Sequence, residues 1–221
     1  MVLQLLENCS RTASYLYHVN RQIMNYLAHA YLSFNDPDIL AGNMISDFVK
    51  GKKQFEYALR VQKGILLHRS IDTFTDMHDA TRELKSYFSP HYRLYAGAFV
   101  DIVYDYFLAN DSMEFETGDA LRKFASNTYS SLEKELDLLP LLFQSMFPFM
   151  KEQNWLYNYR YKTFIQRSFR GLVQRAAYLS ESAVAFEIFD KHSQQMRSSY
   201  DKFFPELKNF AIHKLQELLN A

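Results

Sequence analysis

Residues 66–76 read LLHRSIDTFTD, and how they are placed decides fold and chemistry together. Upstream, Ala58, Val61 and Ile65 recur at spacings of three and four, which is one face of an α-helix. Carried forward, that stripe lands on His68, Asp72 and then Thr75 or Asp76, so a face that starts apolar turns ionisable. The spacing predicts a helix that aims an imidazole and a carboxylate, four residues apart, at one point.

Working outward, the chain holds only 6 glycines and 5 prolines, and no Asn-Gly or Asp-Gly turn joins alternating strands, which argues against a β-rich fold. Helices are predicted at about 24–34, 37–50, 55–77, 79–88, 93–109, 115–136, 140–151, 158–180 and 183–218, the last broken near FFPEL. Breaks are expected at Asp36 before Pro37, at Gly51, at Ser89-Pro90 and at Asn110-Asp111. With no linker, repeat or low-complexity tract between them, these helices read as a single compact all-α domain.

Apolar residues make up 48% of the chain and charged ones 23%, and 16 Tyr and 19 Phe supply bulk, so a folded core is expected. Lys and Arg together number 25 and so do Asp and Glu, so overall charge gives no argument for binding nucleic acid or a membrane surface. Cys9, the only cysteine, has no internal disulfide partner, and its solitude excludes a CxxC redox site or a zinc knuckle; a reducing, cytoplasmic setting fits. The most apolar run, AGAFVDIVYDYFLA, is interrupted by Asp101 and Asp105 and falls short of the roughly 20 apolar residues of a membrane span. The N-terminal segment lacks the basic start and apolar block of a secretory signal. Met24 opens MNYLAHAYLSF, so residues 1–23 read as a short extension or an over-called start, ahead of one all-α domain over 24–221.

Other acids also lie on apolar stripes. Asp101 and Asp105 are four apart on one predicted helix, and Asp47 continues the Leu40, Met44 stripe of another. Unpaired buried carboxylates cost on the order of several kcal/mol each. Arg69 or Arg82 would answer for any one of them; for the set, a divalent cation removes the conflict. Arg69 points about 100° around the helix from His68, and its long arm suits either a phosphate or a neighbouring acid. His29 is not selected by pattern, because the stripe Met24, Leu27, Tyr31, Phe34 points away from it.

Two features are set aside. His78-Asp79 spells the HD dipeptide of a superfamily of metal-dependent phosphohydrolases, but it stands at a helix break, where Asp79 is expected to N-cap the next helix. The aromatic run NWLYNYRYKTF is expected to pack in the core rather than stack on bases. No P-loop, GxGxxG, GxSxG or HExxH occurs, so nucleotide cradles, serine hydrolases and zinc peptidases have no support.

The ordered segments MNYLAHAYLS, LAGNMISDFVKG, HRSIDTFTD and DIVYDYFL resemble the acyl carrier protein phosphodiesterase family, with looser likeness through YRYKTFIQRSFRGLVQRA and FFPEL. The resemblance implies an all-helical, distorted relative of the HD phosphohydrolase fold using a divalent metal, preferably Mn2+. The implied reaction is hydrolysis of the phosphodiester between 4'-phosphopantetheine and a serine of holo acyl carrier protein; the alternative is an HD-like phosphohydrolase acting on another small phosphoester or nucleotide. By the family pattern the site comprises His29, Asp47, His68, Asp72, Asp101 and Asp105. His29, His68, Asp72 and Asp105 are expected as metal ligands, Asp47 as a ligand or water-orienting group, and Asp101 and Arg69 in catalytic support. RGLVQRA departs from the family's paired arginines, since Ala176 follows Arg175. An acidic carrier calls for local positive charge, and Lys50–Lys53 (KGKK), with Arg60 and Lys63, forms the expected docking rim.

Overall fold

The computed structural model describes residues 26–176 and 178–220. The expected extension over 1–23, Cys9 and the Met24 start of the first helix lie outside the described residues.

Among the described residues every regular element is helical. The α-helices are α1 (Tyr26–Tyr31), α2 (Pro37–Ile45), α3 (Leu59–Met77), α4 (Asp79–Tyr92), α5 (Ala96–Ala109), α6 (Gly118–Lys134), α7 (Leu141–Glu152), α8 (Trp155–Asn158), α9 (Lys162–Arg175) and α10 (Ala183–Asn220). Short 3-10 turns occupy Ser46–Phe48, Gly51–Glu56, Arg93–Tyr95 and Leu136–Leu138.

The chain enters α2 as its sequence dictates. Asp36 caps it by accepting the N–H groups of Asp38 and Ile39, both at 3.1 Å, and Pro37 fills a position whose N–H would have no partner. The helix stops at Ile45, short of residue 50, so Asp47 rides on the turn that follows rather than on the helix face. Ser46 at this point turns its hydroxyl to the Ile65 carbonyl of α3, at 3.4 Å.

Helices α2 and α3 meet backbone to backbone. A Cβ added at Gly42 would lie 2.0 Å from the Val61 carbonyl oxygen, and one at Gly64 would lie 2.4 Å from the Ile39 carbonyl oxygen. Neither position admits a side chain without forcing the helices apart, because the obstructing atoms are main chain. The long helix α10 then packs across α3, α4, α5 and α9. Between them lies an aromatic core in which Phe88 stacks on Phe99 at 5.4 Å and Phe99 meets Phe169 edge-on at 5.1 Å. The run NWLYNYRYKTF contributes buried Leu156, Tyr157 and Tyr159, in keeping with a packing role.

Both prolines expected to interrupt helices lie inside them. Helix α4 runs through Pro90 to Tyr92, and the Ser86 carbonyl that Pro90 cannot serve sits 3.5 Å from the Ser89 hydroxyl. Arg93, at φ 47°, marks the actual end. Helix α10 is continuous through Pro205, held there by buried Phe203, Phe204 and Leu207. The helix expected over 158–180 is shorter, α9 over Lys162–Arg175, and the separate one-turn α8 over Trp155–Asn158, preceded by left-handed Asn154 (φ 45°), comes before it. No described helix is long and apolar enough to cross a membrane.

Gly42→Ala or Gly64→Ala should each destabilise the protein by about 2 kcal/mol or more, the range seen for overpacked cores, whereas Gly97→Ala, which would meet only the flexible end of Lys85, should leave urea midpoints nearly unchanged.

Candidate metal centre

Among the described residues α1 spans Tyr26–Tyr31, and its first described turn is held from a distance. Asp105, on the interior face of α5, accepts the Leu27 N–H on one oxygen at 3.0 Å and the Ala28 N–H on the other at 2.9 Å. A carboxylate at a helix N-terminus satisfies otherwise unpaired N–H groups and opposes the helix dipole. Burial nevertheless pushes the Asp105 carboxyl up to about 8, against these two bonds and one from the Tyr159 hydroxyl.

Anchored in this way, α1 carries His29 fully inside the protein. The His29 ring stacks on that of His68, with centroids 3.9 Å apart and planes 16° from parallel. Asn43 of α2 serves both rings. Its side-chain Oδ1 lies 2.7 Å from His29 Nδ1, and its backbone carbonyl oxygen lies 2.7 Å from His68 Nδ1. A carbonyl can only accept, so His68 carries its Nδ1 proton there. The Asn43 amide nitrogen lies 2.9 Å from the His29 carbonyl oxygen and 3.1 Å from Ser33 Oγ, which leaves Oδ1 to accept from His29 Nδ1.

Both Nε2 atoms are buried and have no hydrogen-bond partner. Carboxylates nonetheless stand close. Asp72 Oδ1 lies 3.2 Å from His29 Nε2, Asp72 Oδ2 lies 3.1 Å from His68 Nε2, and Asp47 Oδ1 lies 3.5 Å from His68 Nε2. The oxygens lie near these nitrogens but off the lines along which a ring N–H would donate. One ligand atom from each of His29, His68 and Asp72 fits within a sphere of mutual distance 4.8 Å. Two imidazole nitrogens and carboxylate oxygens converging on one point form the donor set of a divalent cation. The cluster is not sealed, since the Asp72 side chain is 46% exposed and Asp47 28%.

The electrostatics agree. Burial, then the neighbouring His68 charge, hold His29 below its ordinary value. Burial also pulls on His68, but the Asp47 and Asp72 carboxylates outweigh it and lift that imidazole to about 9. Burial would raise Asp72, but the two histidines hold it far below the usual carboxylate range.

The six acids and histidines expected from the sequence fall into three groups. His29, His68 and Asp72 converge, and Asp47 borders them, as the distances above describe. Asp105 turns both oxygens to the Leu27 and Ala28 N–H groups and so holds the helix that carries His29. Asp101 is raised well above the usual range by burial and by the charges of Asp72, Asp76 and Asp105.

Arg69 meets neither an acid nor the imidazoles; it donates to the Val49 carbonyl at 3.1 Å and to Gln54 Oε1 at 2.6 Å, tying down the segment after Asp47. Arg60 pairs with Asp36 and Asp38, while Lys50, Lys52 and Lys53 are exposed. At the rejected HD dipeptide, His78 rather than Asp79 caps α4, accepting the Ala80 N–H on Nδ1 at 3.2 Å, and Asp79 pairs with Arg82.

Sequence reasoning missed Asn43, whose signal was a lone amide within the apolar segment ILAGNMI. The one-sided stripe also failed to select His29, which entered the expected set only through the family resemblance. In fact α1 is buried around its whole circumference, and Phe34, at φ 51°, lies outside the helix.

Fold and site together define an all-α protein with two buried histidines and a partly exposed aspartate clustered in the manner that holds a divalent cation. Comparison with known proteins gives the family. The profile of the acyl carrier protein phosphodiesterase family matches residues 24–207, and the chain belongs to that family. It is 31% identical over 191 residues to the acyl carrier protein phosphodiesterase of Yersinia pestis, covering 86% of this chain and 99% of that one. Identity is again 31% over 191 residues to the proteins of the same name from Serratia proteamaculans and Photorhabdus laumondii. No solved structure matches.

Because His68 holds a proton up to about pH 9 in the metal-free site, cation uptake must displace it. Apparent affinity for a divalent cation should rise about tenfold per pH unit from roughly 6.5 toward 9 and then level off. Calorimetric titration in buffers of different ionisation enthalpy should register about one proton released at pH 7.5.

Proposed function

We propose that this protein hydrolyses the phosphodiester linking 4'-phosphopantetheine to the serine of holo acyl carrier protein, releasing the apo carrier. The observation that carries this reading is the pair of buried, partnerless Nε2 atoms facing solvent-reaching Asp72, in a chain of this family. His29, His68 and Asp72 would hold a divalent cation, Mn2+ being the proposed ion, with Asp47 completing the set or orienting water. A cation in that position supplies Lewis acidity toward a phosphoryl oxygen and makes hydroxide available near neutral pH.

The chain's own groups do the rest. Asp47, on its turn beside His68, is open enough to accept a proton from attacking water. Asp101, whose carboxyl is pushed well above the usual range by burial and by nearby acids, is disfavoured from adding negative charge beside Asp72. Asp105 holds His29 in register through α1, and Arg69 steadies the Val49–Gln54 segment that presents Lys50, Lys52 and Lys53. Those lysines are the proposed docking rim for an acidic carrier surface. Residues 24–221 acting as one HD-like domain in the cytoplasm complete the reading.

Purified protein with Mn2+ and its cognate holo carrier should lower the carrier's mass by that of the phosphopantetheine arm. His68→Ala and Asp72→Ala should reduce the rate to the uncatalysed background while far-UV circular dichroism keeps its helical form. An unchanged carrier mass, with turnover instead of small phosphoesters or nucleotides, would move the function to the alternative hydrolase.

Charge reversal at the rim gives a separate check. Lys52→Glu combined with Lys53→Glu should raise KM for the holo carrier several-fold with kcat nearly kept, and added salt should narrow the difference from the native protein.

A further inference from the structure

We infer that Asn43 is the positioning residue that keeps His29 available to a cation, by forcing its proton onto Nδ1 and so preventing the ring from closing on Asp72. The inference deepens the metal-centre reading and rests on it for the identity of the site, but its main test uses the metal-free protein.

A neutral imidazole carries one proton, on either ring nitrogen, and only the unprotonated nitrogen can bind a metal. Left alone beside a carboxylate, the His29 ring would find its best partner in Asp72, whose Oδ1 is 3.2 Å from Nε2. With the proton on Nε2, a small rotation of the ring makes a charge-assisted hydrogen bond to Asp72. That bond would use up the lone pair and a carboxylate oxygen in one step, and the site would satisfy itself without a cation.

Asn43 prevents this through a chain of bonds with only one consistent direction. The amide nitrogen is committed to the His29 carbonyl at 2.9 Å and to Ser33 Oγ at 3.1 Å. Ser33 in turn donates its hydroxyl to the same His29 carbonyl at 2.8 Å. The amide is therefore held with Oδ1 toward His29 Nδ1, 2.7 Å away, and an oxygen there demands a proton on Nδ1. All members of this network are fully buried, so water does not compete.

The two histidines depend on Asn43 differently. His68 bonds to the main-chain carbonyl of Asn43, which survives any substitution, while His29 bonds to its side chain. Changing residue 43 should thus release one ring and spare the other. A purely structural role for Asn43 would not separate them.

The experiment is long-range 1H–15N NMR of the histidine rings in metal-free protein at pH 7.5. In the native chain His29 should show the proton on Nδ1. In Asn43→Leu it should shift to Nε2, with the Nδ1 proton of His68 unmoved, and the affinity for Mn2+ measured by calorimetry should fall about tenfold or more. Asn43→Asp keeps an oxygen toward His29 and should keep the native tautomer. Should Asn43→Leu fail to fold, Asn43→Ser, smaller and unable to span the gap, carries the same expectation. A His29 proton that stays on Nδ1 in a folded Leu or Ser variant, or rings that change together, would overturn the inference, whether or not the holo carrier proves to be the substrate.

Discussion

Everything in the site depends on how closely α2 and α3 approach. Gly42 and Gly64 let the two backbones touch, with a Cβ at either position meeting carbonyl oxygen well inside van der Waals distance. Because Asn43 follows Gly42, and His68 lies one turn beyond Gly64, that approach brings the Asn43 carbonyl within 2.7 Å of His68 Nδ1. One of the two imidazoles is thus oriented by main chain, which moves less than a side chain does. A looser crossing would leave the stacked rings without their common support, and Asp72, one turn further along α3, would no longer face both.

The same packing accounts for the site's uneven charge. Two imidazoles are pressed together in the interior while Asp47 and Asp72 reach toward water. Burial works against charge on both rings, and the carboxylates restore it on His68 alone. Neutral His29 and readily charged His68 are chemically alike in sequence; their difference arises from the acids that each one faces. Behind them, burial raises both Asp101 and Asp105, and nearby acids raise Asp101 further. Negative charge is concentrated on the open side, where an incoming cation would meet it.

What could be read from the sequence follows from which elements obey a simple period. Helix α3 does, so His68 and Asp72 are legible as an inward pair four residues apart. Asp47 was expected inward for a reason that fails: its helix ends two residues earlier, and a 3-10 turn delivers the carboxylate to the same neighbourhood. His29 was illegible because a helix buried on all sides has no polar face to set against an apolar one. The inward face of Asp105 was legible, but its partners, two main-chain N–H groups distant in sequence, leave no mark in local pattern. Pro90 and Pro205 misled because tertiary packing outweighs the loss of one helical hydrogen bond, an effect that depends on neighbours many residues away.

The bond between Asp105 and α1 spans 77 and 78 residues of chain. During synthesis the segment bearing His29 leaves the ribosome long before the carboxylate that holds its Leu27 and Ala28 N–H groups. Until α5 has emerged and docked, the Leu27 and Ala28 N–H groups lack their Asp105 partner. Bringing His29 to His68 and Asp72 therefore waits on a contact between parts of the chain far apart in sequence.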